Sequence, residues 1–172
     1  MKRLVLLPGF NGAARQPILV KVAEALEGWS ASFPGMTKGR PSVGFERELQ
    51  FLSKAIPPKT KPVLVGRSFG GRVAIRYALE HSVAAVVLLG FPVRPPETQR
   101  PEDEAALRSV KAPTLIVQGD ADDKGPLAVL RPIVKQNRAL TLEVIAGAGH
   151  SFGRHEARAI EVAAQFVRSL RR

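Results

Sequence analysis

Short runs of valine, leucine and isoleucine with no polar side alternate along this chain with longer segments that are apolar on one side only. Val86-Val87-Leu88-Leu89 is the plainest of these runs. A strand apolar at every position must be covered on both faces, which calls for a parallel sheet between two layers of helices. The expected strands are Arg3 to Leu7, Ser30 to Phe33, Pro62 to Val65, Val83 to Leu89, Pro113 to Val117 and Leu140 to Ile145.

The intervening segments keep helical spacing. Pro17 opens a helix that carries Ile18, Val22, Leu26 and Trp29 on one side, proline being welcome in a first helical turn. Phe45, Leu49, Leu52 and Ile56 mark the second helix. Helices follow from about Gly70 to His81, Glu102 to Val110, Leu127 to Gln136 and His155 to Leu170, the last with Ala159, Val162, Ala163, Phe166 and Leu170 on one face. The fold class is therefore α/β, a doubly wound and mostly parallel sheet of about six strands. No repeat, low-complexity tract or linker divides residues 1–172, so one domain is expected.

Composition removes several functions. The chain has no cysteine and 3 histidines, which excludes disulfides, thiolate catalysis and thiolate zinc sites. No carboxylate cluster takes their place, so no metal is expected. Lys2 and Arg3 precede an apolar run that Pro8-Gly9 ends after Leu7, short of the roughly 7–15 apolar residues of a secretory segment. With no run near the roughly 20 residues that span a bilayer, a cytoplasmic protein with no membrane partner is expected. The net charge of +11 favours encounter with anions. Its residues are spread out, with a small cluster at Arg168, Arg171 and Arg172, and read as a solubilising surface. No nucleic-acid motif or interleaved aromatic platform accompanies them. Pro8-Gly9-Phe10-Asn11-Gly12 is not a dinucleotide fingerprint, and no P-loop exists, so no cofactor is expected.

Gly66-Arg67-Ser68-Phe69-Gly70 matches G-x-S-x-G. The match alone is weak, but it directly follows an apolar strand and directly precedes a helix, where a nucleophile elbow must lie. The turn lifts the serine hydroxyl above the sheet, and glycines two residues to either side remove side chains that would collide in so sharp a bend. A serine needs a base, and the base needs an orienting acid. In chain order Ser, Asp, His, strand ends supply Gly119-Asp120-Ala121-Asp122-Asp123 and then Gly147-Ala148-Gly149-His150-Ser151-Phe152. Three adjacent aspartates leave the acid open among Asp120, Asp122 and Asp123. His81 reads as a helix-end histidine and His155 as a surface one. Arg67, beside the serine, reads as a solvated or core-bracing arginine ahead of a ligand for anions.

With Leu6-Leu7-Pro8-Gly9-Phe10 added, these stretches resemble the α/β-hydrolase superfamily, and more closely its small, lidless, dienelactone-hydrolase-like members. The resemblance covers essentially the whole chain. It implies a serine hydrolase that cleaves an ester or thioester of a small molecule through an acyl-enzyme, with Ser68 as nucleophile, His150 as base and Asp122 as acid. It also implies oxyanion donors at the backbone N–H groups of Phe10 and Phe69, although Pro8 stands where the family has histidine. The alternative is a binding or scaffold protein that keeps the fold without turnover. The segment from Phe91 to Val110, where relatives insert a lid, is too short for a cap domain but long enough to wall one side of a pocket. The substrate and the oligomeric state are not legible.

Overall fold

The computed structural model describes residues 2–170; Arg171 and Arg172 of the basic cluster lie outside them. Six strands, β1 (Arg3–Leu7), β2 (Ser30–Ser32), β3 (Val63–Arg67), β4 (Ala85–Leu89), β5 (Thr114–Gly119) and β6 (Leu140–Ile145), form one sheet in the order β2-β1-β3-β4-β5-β6. Every pairing is parallel. The helices are α1 (Pro17–Glu24), α2 (Glu46–Ala55), α3 (Phe69–Glu80), α4 (Pro101–Ser109), α5 (Leu127–Gln136) and α6 (Glu156–Ser169).

The two-residue alternation of a strand divides the core in two. Val5, Leu7, Leu64, Val86, Leu88 and Ile116 face α2 to α5 on one side of the sheet. Leu4, Leu6, Val63, Val65, Val87 and Val117 face α1 and α6 on the other. Residues of β3 and β4 are buried at every position, which explains their unbroken apolar runs. β6 lies at a sheet edge and alternates between buried and exposed positions, so Thr141 and Glu143 are tolerated there. Among the described residues, no helix is long and apolar enough to cross a membrane.

The first helix stops at Glu24, before Trp29. Leu26 and Trp29 keep the helical spacing but are carried by tight turns, Leu26 N–H to Ala23 and Trp29 N–H to Leu26, and Gly28 turns the chain at φ +80°. Phe45 precedes α2 and ends a short 3-10 turn, Val43–Phe45. It caps α2 with φ 61° and sends its ring into the core.

Strand order decides where ligands can gather. The chain leaves β1 for β2 on one side, then crosses back to place β3 on the other. Loops after β1 and β3 therefore part above the sheet, and such a switch point opens a crevice at the carboxyl ends of the strands.

Candidate active site

Ser68 stands between β3 and α3 with φ 49° and ψ −114°, a conformation costly for any residue with a Cβ. Packing imposes it. A Cβ at Gly66 would come within 2.4 Å of the Gly71 backbone, and one at Gly70 within 2.3 Å of the Leu7 carbonyl oxygen. Glycine at both positions lets α3 start directly against the strands, and the Ser68 N–H still continues the ladder to Leu89 O at 3.0 Å.

The three predicted side chains meet. Ser68 Oγ lies 2.9 Å from His150 Nε2, and His150 Nδ1 lies 2.8 Å from Asp122 Oδ2. It is Asp122 of the three aspartates that reaches the ring. Asp120 instead accepts the Gly147 N–H at 2.8 Å, stapling the loop that carries His150, and Asp123 is exposed. Asp122 is 3% exposed and accepts from Gln118 Nε2 at 2.8 Å and the Lys124 N–H at 2.9 Å. Donors thus surround a carboxylate that has left water, as a buried charge requires.

Three supporting residues escaped the sequence reading or were only half read. Gln118, the penultimate residue of β5, also accepts the Phe91 N–H at 2.8 Å and donates to Gly125 O at 3.0 Å, tying two loops to Asp122. Arg67 is a brace, not a pocket cation: its Nη1 donates to Leu89 O at 3.1 Å and its Nη2 to His150 O at 2.7 Å. Burial pushes its guanidinium below the ordinary arginine range, while Asp122 and Glu156 oppose that. Gln16 accepts the Gly9 N–H at 3.0 Å and so fixes the loop after β1. A Cβ at Gly9 would stand 3.7 Å from that of Ser68, so this loop runs beside the serine.

Phe69 is the first residue of α3, and its N–H has no carbonyl a turn earlier to bond. Among the described residues neither it nor the Phe10 N–H has a protein partner. The Phe10 ring meets that of Phe69 edge-on, with centroids 5.9 Å apart. His81 caps α3, with Nδ1 3.2 Å from Tyr77 O, and His155 is partly buried at the start of α6. No group of three or more His, Asp or Glu side chains among the described residues could hold a metal ion.

A cleft of about 410 Å³ opens at Ser68. Phe10, Pro41, Phe69, Pro92 and Pro95 provide its apolar walls, and Arg72, Arg100 and Lys124 its charge. The segment after β4 thus walls one side, through Pro92, Pro95 and Arg100.

Residues 44–170 match the model of an alpha/beta hydrolase domain, and the chain belongs to that family. Solved structures share the whole architecture. Est1E from Butyrivibrio proteoclasticus, with ferulic acid bound, is 19% identical with a TM-score of 0.78, over 99% of this chain and 89% of that one. An α/β serine hydrolase homologue from Coxiella burnetii is 22% identical with a TM-score of 0.76, over 96% and 84%. A lidless α/β serine hydrolase from Xanthomonas campestris is 19% identical with a TM-score of 0.71, over 96% and 81%. Comparison with curated protein sequences finds no match.

Proposed function

We propose that this α/β hydrolase is a serine esterase or thioesterase for small substrates, acting through an acyl-enzyme on Ser68. The observation that carries the reading is the unbroken relay from Ser68 Oγ through His150 to Asp122, at 2.9 and 2.8 Å.

His150 Nε2 accepts the Ser68 proton as Oγ bonds to the substrate carbonyl carbon, and the carbonyl π pair moves to oxygen. The N–H groups of Phe10 and Phe69 donate to that oxyanion, the step at which fixed dipoles contribute most. Asp122 keeps the proton of the neutral ring on Nδ1, so that Nε2 is the base, and stabilises the imidazolium that forms. Collapse of the adduct expels the alkoxide or thiolate, which takes the proton from Nε2. Water then attacks the acyl-enzyme with His150 again as base, releasing the acid and restoring Ser68.

The open cleft, with no helical cap over Ser68 among the described residues, favours a small or surface-presented acyl group. The test is labelling by a neutral fluorophosphonate together with burst release from p-nitrophenyl acetate. Wild-type protein is expected to show both and Ser68→Ala neither. A Ser68→Ala protein that still turns over the ester removes the serine from the chemistry, and folded wild-type protein that never labels is the non-catalytic scaffold.

A further inference from the structure

We propose that Arg72, Arg100 and Lys124 select an ester that carries a second, ionised carboxylate. This rests on the esterase reading and adds to it the substrate class.

The three cations come from separate elements and converge on one cleft: Arg72 from α3, Arg100 from the segment after β4 and Lys124 from the loop after β5. None of the side chains lining that cleft is acidic. A merely solubilising surface mixes its charges, whereas this one collects a single sign beside the proposed nucleophile.

Arg72 is aimed and not fully used. Its Nε donates to Asp103 Oδ2 at 2.6 Å, while Asp103 also takes Arg76 Nη2 at 2.8 Å and is wholly buried. One carboxylate therefore serves two guanidinium groups, and both Nη groups of Arg72 are without a protein partner among the described residues. The Cζ of the same guanidinium lies over the Phe45 ring, 4.9 Å from its centroid, and the side chain lines the cleft.

Arg100 shows the same imbalance. Nη1 donates to Pro92 O at 2.9 Å, and no other donor of this side chain has a protein partner among the described residues. Burial lowers its pKa, and the neighbouring Arg72 charge lowers it further, against Asp103. Two half-buried like charges facing one space are relieved by an anion between them, the arrangement in which guanidinium groups bind a carboxylate well. Lys124 has no ion-pair partner among the described residues; its backbone is already spent, the N–H on Asp122 and the carbonyl on the Arg94 N–H, and its side chain lines the cleft.

The rest of the lining sets the remainder of the ligand. Five of the walls are phenylalanine or proline, surfaces that take a flat ring or a short hydrocarbon chain between the reacting carbonyl and the charge. The inference is thus an ester of mixed character: one scissile carbonyl over Ser68, a compact apolar body and one distal carboxylate. The carboxylate can belong to the acyl group or to the alcohol.

Two matched pairs of substrates distinguish these cases. The p-nitrophenyl monoester of glutaric acid, against its methyl ester, puts the charge on the acyl side. p-Acetoxybenzoate, against its methyl ester, puts it on the leaving-group side. In one pair the charged member is expected to be favoured in kcat/KM by roughly 10- to 100-fold, the range of a hydrogen-bonded charge. The preference should shrink in Lys124→Met and in Arg100→Met, and with added salt. Lys124 is exposed, so its variant keeps the test open if the partly buried Arg100 position fails to fold. Fluorophosphonate labelling runs alongside. Labelling with equal rates within both pairs overturns the carboxylate preference and leaves the esterase reading standing. A preference that both variants retain removes these residues from it. Absence of labelling and of all turnover overturns both proposals.

Discussion

The guanidinium of Arg67 donates to the backbone carbonyl of His150 at 2.7 Å, so the residue before the elbow serine holds the loop that bears the imidazole. The same side chain reaches Leu89 O at 3.1 Å, and its charge lies 5.9 Å from the centroid of the buried Phe152 ring. Gly90 makes room for it, since a Cβ there would fall 2.6 Å from Arg67 Nη1. The serine and histidine loops are thus tied through a side chain that takes no part in proton transfer.

Arg67→Met keeps the aliphatic stem and removes both hydrogen bonds. The histidine loop is then free to shift, and displacement of a reacting group by about 1 Å can cost on the order of 100-fold in rate. The expected outcome is a drop in kcat of that order with KM little changed, together with a lower melting temperature. Steady-state kinetics beside a thermal melt measure both. A fall in KM-controlled rate alone would show that Arg67 touches substrate instead.

At Asp122 every neighbour is a donor: Gln118 Nε2, the Lys124 N–H and His150 Nδ1. Asp122→Asn must set an NH2 group against at least one of them. Turned towards the histidine, that group favours the tautomer with the proton on Nε2, which cannot accept from Ser68. The expected loss in kcat is roughly three to four orders of magnitude, with ester binding retained. Because the base is lost through its tautomer, the remaining activity should rise with pH as hydroxide substitutes for it; a flat profile at near wild-type rate refutes the role.

The backbone at Ser68 makes a separate prediction. Its φ of 49° costs a residue with a Cβ about 1–3 kcal/mol, and glycine escapes most of that at an unfolded-state cost of about 0.4–1 kcal/mol. Ser68→Gly should therefore melt above Ser68→Ala, although both lack the hydroxyl. Differential scanning calorimetry of the two variants decides it; equal or reversed melting temperatures mean that the elbow is not strained.

Much of this arrangement was legible in the residues themselves. β3 and β4 are buried on both faces, so their apolar runs could hardly be anything but central strands, and a serine between such a strand and a helix has few structural alternatives. The aspartate was harder, because Asp120, Asp122 and Asp123 adjoin and only the turn after β5 decides which one points at the ring. The end of β3 was hidden: the expected strand stops at Val65, yet Gly66 and Arg67 complete it and Arg67 is buried, as a bracing arginine would be. Gln16, Gln118 and Arg67 left no periodic trace, because their partners are backbone carbonyls and amides and, for Gln118, the Asp122 carboxylate, which come near only in the folded chain. The cationic cleft was concealed for the same reason, its three charges being separated along the sequence and joined by topology.

Glu48 supplies a prediction about acid. Its carboxylate is fully buried in α2 and accepts from Ser42 Oγ at 2.5 Å, Thr37 Oγ1 at 3.0 Å and the Ser42 N–H at 3.2 Å. Burial alone would raise its pKa, but these hydrogen bonds prevail and bring it from 4.5 to about 2. A folded pKa below the unfolded one gives stability that is present above pH 4.5 and lost as pH falls towards 2. The loss amounts to something on the order of 3 kcal/mol. Glu48 anchors residues 37–42, which carry Pro41 to the wall of the cleft, so acid should loosen that wall as well as the fold. Urea denaturation of wild type and Glu48→Gln across this pH range should show the two stabilities converging as pH drops. If the gap between them is constant with pH, the carboxylate is not the group whose protonation weakens the protein.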